Sequence, residues 1–213
     1  AASERIKHPI DRTTLVESLL TQIRDSIFAT DTSIQQIYRL KDSDVVTVAT
    51  GHQLCMYGGP LFFFYKILST IALADQLNSE GINAVPVYWM ASEDHDFEEI
   101  NHIYLGGKRV EWKTDQKGPV GRILLKDSKQ FKDQVRTLLK DDKRYSETLN
   151  QLDEIFEESK TLAHAVRDFV YAAFSQLGLI VIDADQPELK RLFAPHVKRE
   201  LLESFSDREV GKM

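Results

Sequence analysis

Residues 45–66, VVTVATGHQLCMYGGPLFFFYK, constrain the fold more than any other stretch: a short β-branched run leads directly into a glycine-rich turn and a helix opening at a proline. Val45 to Thr50 is apolar without alternation, the composition of a strand covered on both faces in a parallel sheet. Gly51, Gly58 and Gly59 permit tight backbone turns, and Pro60 suits a helix start, where its missing N–H costs nothing. Such a turn is expected to aim free amides and a helix dipole at a phosphate or carboxylate, with His52 and Lys66 able to add positive charge. Neither G-x-x-x-x-G-K-[ST] nor G-x-G-x-x-G can be written over these residues. The stretch therefore also reads as a tight turn packing a helix on a sheet, with Lys66 a solvated lysine.

The rest of the chain extends this unit. Leu15 to Phe28 carries apolar residues at helical spacing, and Asp31-Thr32-Ser33 offers caps for a second helix ending near Lys41. The helix from Pro60 to Ser79 has an apolar stripe through Leu61, Phe64, Leu68, Ile71 and Leu77, with Gly81 marking its end. Val85 to Ala91 supplies a second buried strand, giving a right-handed βαβ unit. Gly106-Gly107 within HIYLGGKRVEWK signals a hairpin, and Val120 to Leu125 reads as one more strand. Residues 127–178 read as three helical segments broken near Asp142 and Lys160, a helical insertion. Leu179 to Asp183 returns to the sheet, and Asp185 and Pro187 start a final helix. Strands near 45–50, 85–91 and 179–183 are expected side by side and parallel.

Of the 213 residues, 42% are hydrophobic and 28% charged, ordinary for a packed domain. A net charge of −6 argues against nucleic acid or an anionic membrane surface as partner. A lone cysteine excludes an internal disulfide, and no signal-like start or long apolar run is present, so the cytoplasm is the expected compartment. Cys55 has no base beside it in sequence and stays unassigned, whereas His164 and Trp112 read as structural.

A second chemical cluster, SEDHDFEEINH at 92–102, follows the end of a strand, where open α/β sheets bind ligands. Were Asp94 to His102 helical, His95, Glu99 and His102 would share one face as metal ligands do. Ser92, Glu93, Asp94 and Asp96 equally suit the start of a helix, and no metal is assigned. The acidic groups could hold an amino group while His95 serves as acid or base. Asp183 and Asp185 could approach a sugar hydroxyl, or Asp185 could be an N-cap.

Two motifs in order, TGHQLCMYGGPLFFFYK and PVYWMASEDHDFEEINHIYL, resemble the bacillithiol-biosynthesis cysteine-adding (BshC) family. The matching positions are Thr50, Gly51, Gln53, Gly59, Pro60, Leu61, Lys66, Pro86, Val87, Trp89, Glu93, Asp94, His95, Asp96, Phe97, Glu99, Ile100, Asn101 and His102, with a weaker echo in GLIVIDADQPELKRLFAP. The resemblance implies an α/β fold: a Rossmann-like, nucleotidyltransferase-like parallel sheet with flanking helices. On that reading, residues 1–126 and 179–213 form an incomplete core and 127–178 a connecting-peptide-like helical insertion. It implies a ligase joining L-cysteine to glucosaminyl malate, with ATP or another nucleotide as cofactor. His95, Lys66 and Asp94 would be catalytic. Thr50, Gly51, Gln53, Gly58, Gly59, Pro60, Trp89, Glu93, Asp96, Asn101 and His102 would line the substrate or nucleotide site. G-P-L-F-F-F-Y-K stands where class I synthetases carry an H-I-G-H-like motif, so the histidines of adenylate chemistry are absent. Family members are longer, with a coiled-coil region and a homodimeric state, so this piece alone is expected to be inactive. A non-catalytic nucleotide-binding or scaffolding module, or a nucleotidyltransferase for another small amine, are the alternatives.

Overall fold

The structure is a computed structural model that describes Glu4 and residues 10–24, 26–139 and 145–211. Its sheet has three parallel strands in the order β1 (Val46–His52), β2 (Ala84–Met90) and β5 (Ile180–Asp183), with β2 in the centre. All three expected strands are present and lie side by side. β1 runs two residues further than expected, so Gly51 pairs with Trp89 and His52 with Met90, and the turn begins only after His52. Every β2 residue except Trp89 is buried, as the continuous apolar run demands.

Helix α1 (Arg12–Ile23) is capped by Asp11, whose carboxylate accepts from the Thr14 amide at 3.0 Å. Helix α2 (Asp31–Arg39) is capped by Thr30, one residue before the expected caps. Ser33 closes a capping box by accepting from the Thr30 amide at 3.2 Å. Helix α3 (Leu61–Ser79) follows β1 with Pro60 as its N-cap and Gly81, at φ +82°, just beyond its C-cap Glu80. Its buried face is Phe63, Ile67, Thr70, Ile71 and Ala74: of the expected stripe Ile71 is buried and Phe64 and Leu77 are partly so, whereas Leu61 and Leu68 are exposed. The helix is apolar all round, so sequence periodicity could not choose a face.

A short helix α4 (Phe97–Ile100) leads into the hairpin of β3 (His102–Leu105) and β4 (Lys108–Glu111), antiparallel as expected. Gly106 and Gly107, at φ +56° and +77°, make its two-residue turn. Val120 to Leu125 does not add a strand. It forms a 3₁₀ turn at Val120–Arg122 and a single antiparallel bridge from Leu124 to Thr161, and a second 3₁₀ turn follows at Leu125–Asp127; in the first turn Gly121 lies so close to Ser92 that a Cβ there would fall 2.6 Å from the Ser92 Cβ.

Helices α5 (Lys129–Leu139), α6 (Ser146–Ile155) and α7 (Leu162–Phe174) occupy the region read as helical. The break near Lys160 is seen, while the break near Asp142 lies outside the described residues. One hydrophobic cluster joins Phe131, Leu149, Phe156 and Phe169 to Val85, Tyr88 and Val181 of the sheet. Phe63 of α3 meets Tyr88 at 5.5 Å and Phe169 at 6.3 Å, so α3 and α7 cover one face together. Helix α8 (Pro187–Glu203), begun by Pro187, and α9 (Phe205–Val210) end the chain. No described helix is long and apolar enough to cross a membrane.

Candidate functional site

The site is built where β1 and β2 release their loops at the same edge of the sheet. Gln53, just past β1, donates through Nε2 to Asp94 Oδ2, and reaches Glu99 Oε2 at 3.5 Å. Asp94 ties the second loop as well: its Oδ1 accepts from the His95 and Asp96 amides at 2.6 and 3.0 Å. These bonds, the Gln53 amide foremost, hold the Asp94 carboxyl below the usual carboxylate range. Asp94 is therefore an anion at neutral pH. His95 beside it is exposed, and Asp96 caps α4 by accepting from the Glu99 amide at 3.2 Å.

The glycine turn differs from expectation. The Gly58 and Gly59 amides are spent within it, on the Cys55 and Met56 carbonyls at 3.3 and 3.1 Å, and do not point at a ligand. Both glycines answer to packing. A Cβ on Gly58, at φ +82°, would lie 2.7 Å from the Phe169 ring, and one on Gly59 would lie 2.6 Å from the Cys55 Cβ. The open amides are those of Leu61 and Phe62, the first of α3, which have no intrahelical partner. Lys66 donates Nζ to the Gly51 carbonyl and lies 5.5 Å from the Phe62 ring centre, fixing the end of β1. Thr50 and Lys66 share a cavity of about 350 Å³ with Phe62 and Tyr65.

Other expected residues are directed elsewhere. Asn101 is buried against the hairpin, its Nδ2 reaching Glu111 at 3.4 Å and its Oδ1 facing His102 Nδ1 at 3.0 Å. Because α4 spans only Phe97–Ile100, His95 precedes it and His102 opens β3. The single helical face that would have aligned His95, Glu99 and His102 does not form. Trp89 and Glu93 lie beside a second cavity, of about 1100 Å³, walled by Ile182, Phe193 and Leu201. Cys55 is buried, and burial pushes its thiol up to about 11, so it is not a nucleophile at neutral pH.

Four charged residues beside the site form a network that the sequence did not announce. Arg122 grips Asp185 with two bonds of 2.6 and 2.8 Å, and Lys190 joins Asp185 at 2.5 Å to Glu93 at 2.8 Å. Asp185 is thus an anchor for two cations and not an N-cap, which falls to Gln186. Asp183 accepts from the buried Ser92 hydroxyl, closing the end of β5 onto the end of β2. Tyr57, at φ +53°, bonds Asp153 and meets the Phe131 and Phe156 rings edge-on, tying the glycine turn to the helical region. A tyrosine in a left-handed turn has no sequence signal beyond the glycines after it.

Comparison with known families settles the class. The family described as "Bacillithiol biosynthesis BshC, N-terminal Rossmann-like domain" matches residues 1–212. The chain belongs to this family. Relatives named "Putative cysteine ligase BshC" include one from Flavobacterium johnsoniae, 40% identical over 94% of this chain and 38% of its own length. Another, from Cytophaga hutchinsonii, is 38% identical over 95% of this chain and 37% of its own length. A more distant one from Bacillus cereus is 27% identical over 90% of the chain and 37% of its own length. The chain thus spans a little over a third of the BshC relatives it matches. Its α/β fold, with a parallel three-stranded sheet flanked by helices, is the Rossmann-like architecture the BshC family name states.

Proposed function

We propose that this chain is the Rossmann-like part of a ligase that joins the carboxyl group of L-cysteine to the amino group of a glucosaminyl malate, forming the amide of bacillithiol. The observation that carries the reading is the Gln53–Asp94 bond, which draws the loops after two neighbouring parallel strands into one site beside a helix start. The family and the names of its relatives agree with it. In this scheme Asp94 and Glu99 receive the substrate ammonium, and the Leu61 and Phe62 amides at the start of α3 receive a carboxylate or phosphate oxygen. His95 takes the proton as the amine nitrogen attacks the cysteine carboxyl carbon and the carbon–oxygen bond to the leaving group breaks. Lys66 keeps the end of β1 in register with the helix start.

A nucleotide, when bound, supplies the leaving group that a free carboxylate lacks. The open amides of α3 fit one phosphate group, while the glycine turn, its amides already bonded, does not fit as a multi-phosphate cradle. That same observation favours a second reading, a non-catalytic ligand-binding module. Thr50 and Gly51 close β1, and Gln53, Gly59 and Pro60 belong to the turn after it, in either reading. The full-length protein incubated with L-cysteine, glucosaminyl malate and ATP decides between them. The ligase reading expects a new thiol product with a cysteinyl amide, and the module reading expects binding without product. The homodimeric state and the cytoplasmic location belong to the same proposal.

A further inference from the structure

We propose that the pocket between the end of α1 and the first turns of α7 is a binding site for a phosphate-class oxyanion, organised by Arg167. The pocket, of about 370 Å³, is lined by Thr21, Gln22, Ser26, His164, Arg167 and Gln186 together with the paired Lys160 and Asp168. None of the ligase-site residues lines it, so the site is separate from the Gln53–Asp94 cluster. Its volume holds a phosphate group and several waters, at about 30 Å³ per water.

Arg167 is the reason for an anion. It is 7% exposed, it lines the pocket, and its Nε has no hydrogen-bond partner. Among the described residues no carboxylate pairs with it. The nearest candidate in sequence, Asp168, is already engaged by Lys160 at 2.9 Å and by the Ser26 hydroxyl at 2.9 Å. Lys160 is paired with Asp168, and the buried Asp183 carboxylate acts on the neighbouring His164 without forming an ion pair with Arg167, so the guanidinium has no ion-pair partner among the described residues. A buried unpaired charge is costly, and the cost is relieved by an oxyanion matched to the guanidinium fork.

The other donors favour a tetrahedral ligand over a planar one. Lys160 keeps N–H groups beyond its bond to Asp168, and His164 and Gln186 border the pocket from different elements. Burial, with the Arg167 charge, lowers the His164 imidazole below its ordinary value, so at neutral pH it is an uncharged donor. Donors on α7, on Lys160 just before it and on Gln186 just before α8 need acceptor oxygens on several sides. A phosphate offers them and a carboxylate does not.

The test is a titration of the purified protein with inorganic phosphate at constant ionic strength, followed through the arginine Nε–H signals by NMR. Wild type should show a saturable shift with a midpoint on the order of 1 mM. Arg167→Gln should abolish it. Thr21→Glu, which places a tethered carboxylate in the same pocket from an exposed position, should also abolish it while keeping the wild-type circular dichroism spectrum. It decides the matter should Arg167→Gln not fold. A parallel arm with methyl phosphate separates the sources of the group: tighter binding there assigns the site to an esterified phosphate, weaker binding to the free ion. No saturable shift in wild type, or one unchanged in a folded variant, overturns the proposal.

Discussion

A single carboxylate, that of Asp94, closes both loops of the proposed ligase site, and its protonation should open them. Its folded pKa is depressed by the Gln53 side chain and two backbone amides, so this tie is present above the ordinary carboxylate range and lost as pH falls through the lowered value. The Gln53 side-chain amide signal should therefore be constant down to about pH 4 and move only below it. In Asp94→Asn it should show no such transition. His95 has a different task, proton transfer, and His95→Ala in the full-length protein should reduce product formation on the order of a hundredfold with folding intact. Retention of full activity would remove His95 from the mechanism. Gly58 belongs to packing: Gly58→Ala combines a positive φ with a clash against Phe169 and should cost about 2–3 kcal/mol in denaturant unfolding. A neutral result would show that the turn can relax.

At the level of elements, the strands and the hairpin were legible because each has one local cause. Val46 to Thr50, Val85 to Met90 and Ile180 to Asp183 are largely apolar runs, and Gly106-Gly107 sits between two β-prone ones, but β1, expected to be covered on both faces, is an edge strand with no fully buried residue. What was illegible depends on contacts distant in sequence. The 3₁₀ turn at Val120–Arg122 packs Gly121 against Ser92, with its amide bonded to the Ser92 carbonyl at 2.9 Å. The buried side of α3 was decided by Tyr88 and Phe169, not by its own sequence. Asp185 looked like a cap because its partners Arg122 and Lys190 come from other elements. Arg167 sits beside Asp168 in its helix, and nothing in that neighbourhood marks the guanidinium as unpaired. Gly121→Ala should push the turn from Ser92 and destabilise by about 2 kcal/mol in chemical denaturation. An unchanged midpoint would show that this close approach is not obligatory.

The molecule as a whole has one hydrophobic cluster running from the sheet through the helices of 127–178. We propose that the connecting-peptide-like insertion at 127–178 and the core at 1–126 and 179–213 unfold together, and hydrogen exchange should give the slowest amides of α7 and β2 equal opening free energies. A clearly lower value in α7 would divide the two. Since the chain spans a little over a third of its relatives' length, we further expect it to bind substrate without making product when assayed alone. Robust turnover would place the complete active site within these residues. The central claim, that the loops after β1 and β2 form one amine-receiving site, is tested most directly by a structure of the protein with glucosaminyl malate bound. The account predicts the amino nitrogen within about 3 Å of the Asp94 or Glu99 carboxylate. An amino group bound elsewhere, with both carboxylates facing only solvent and Gln53, would contradict it.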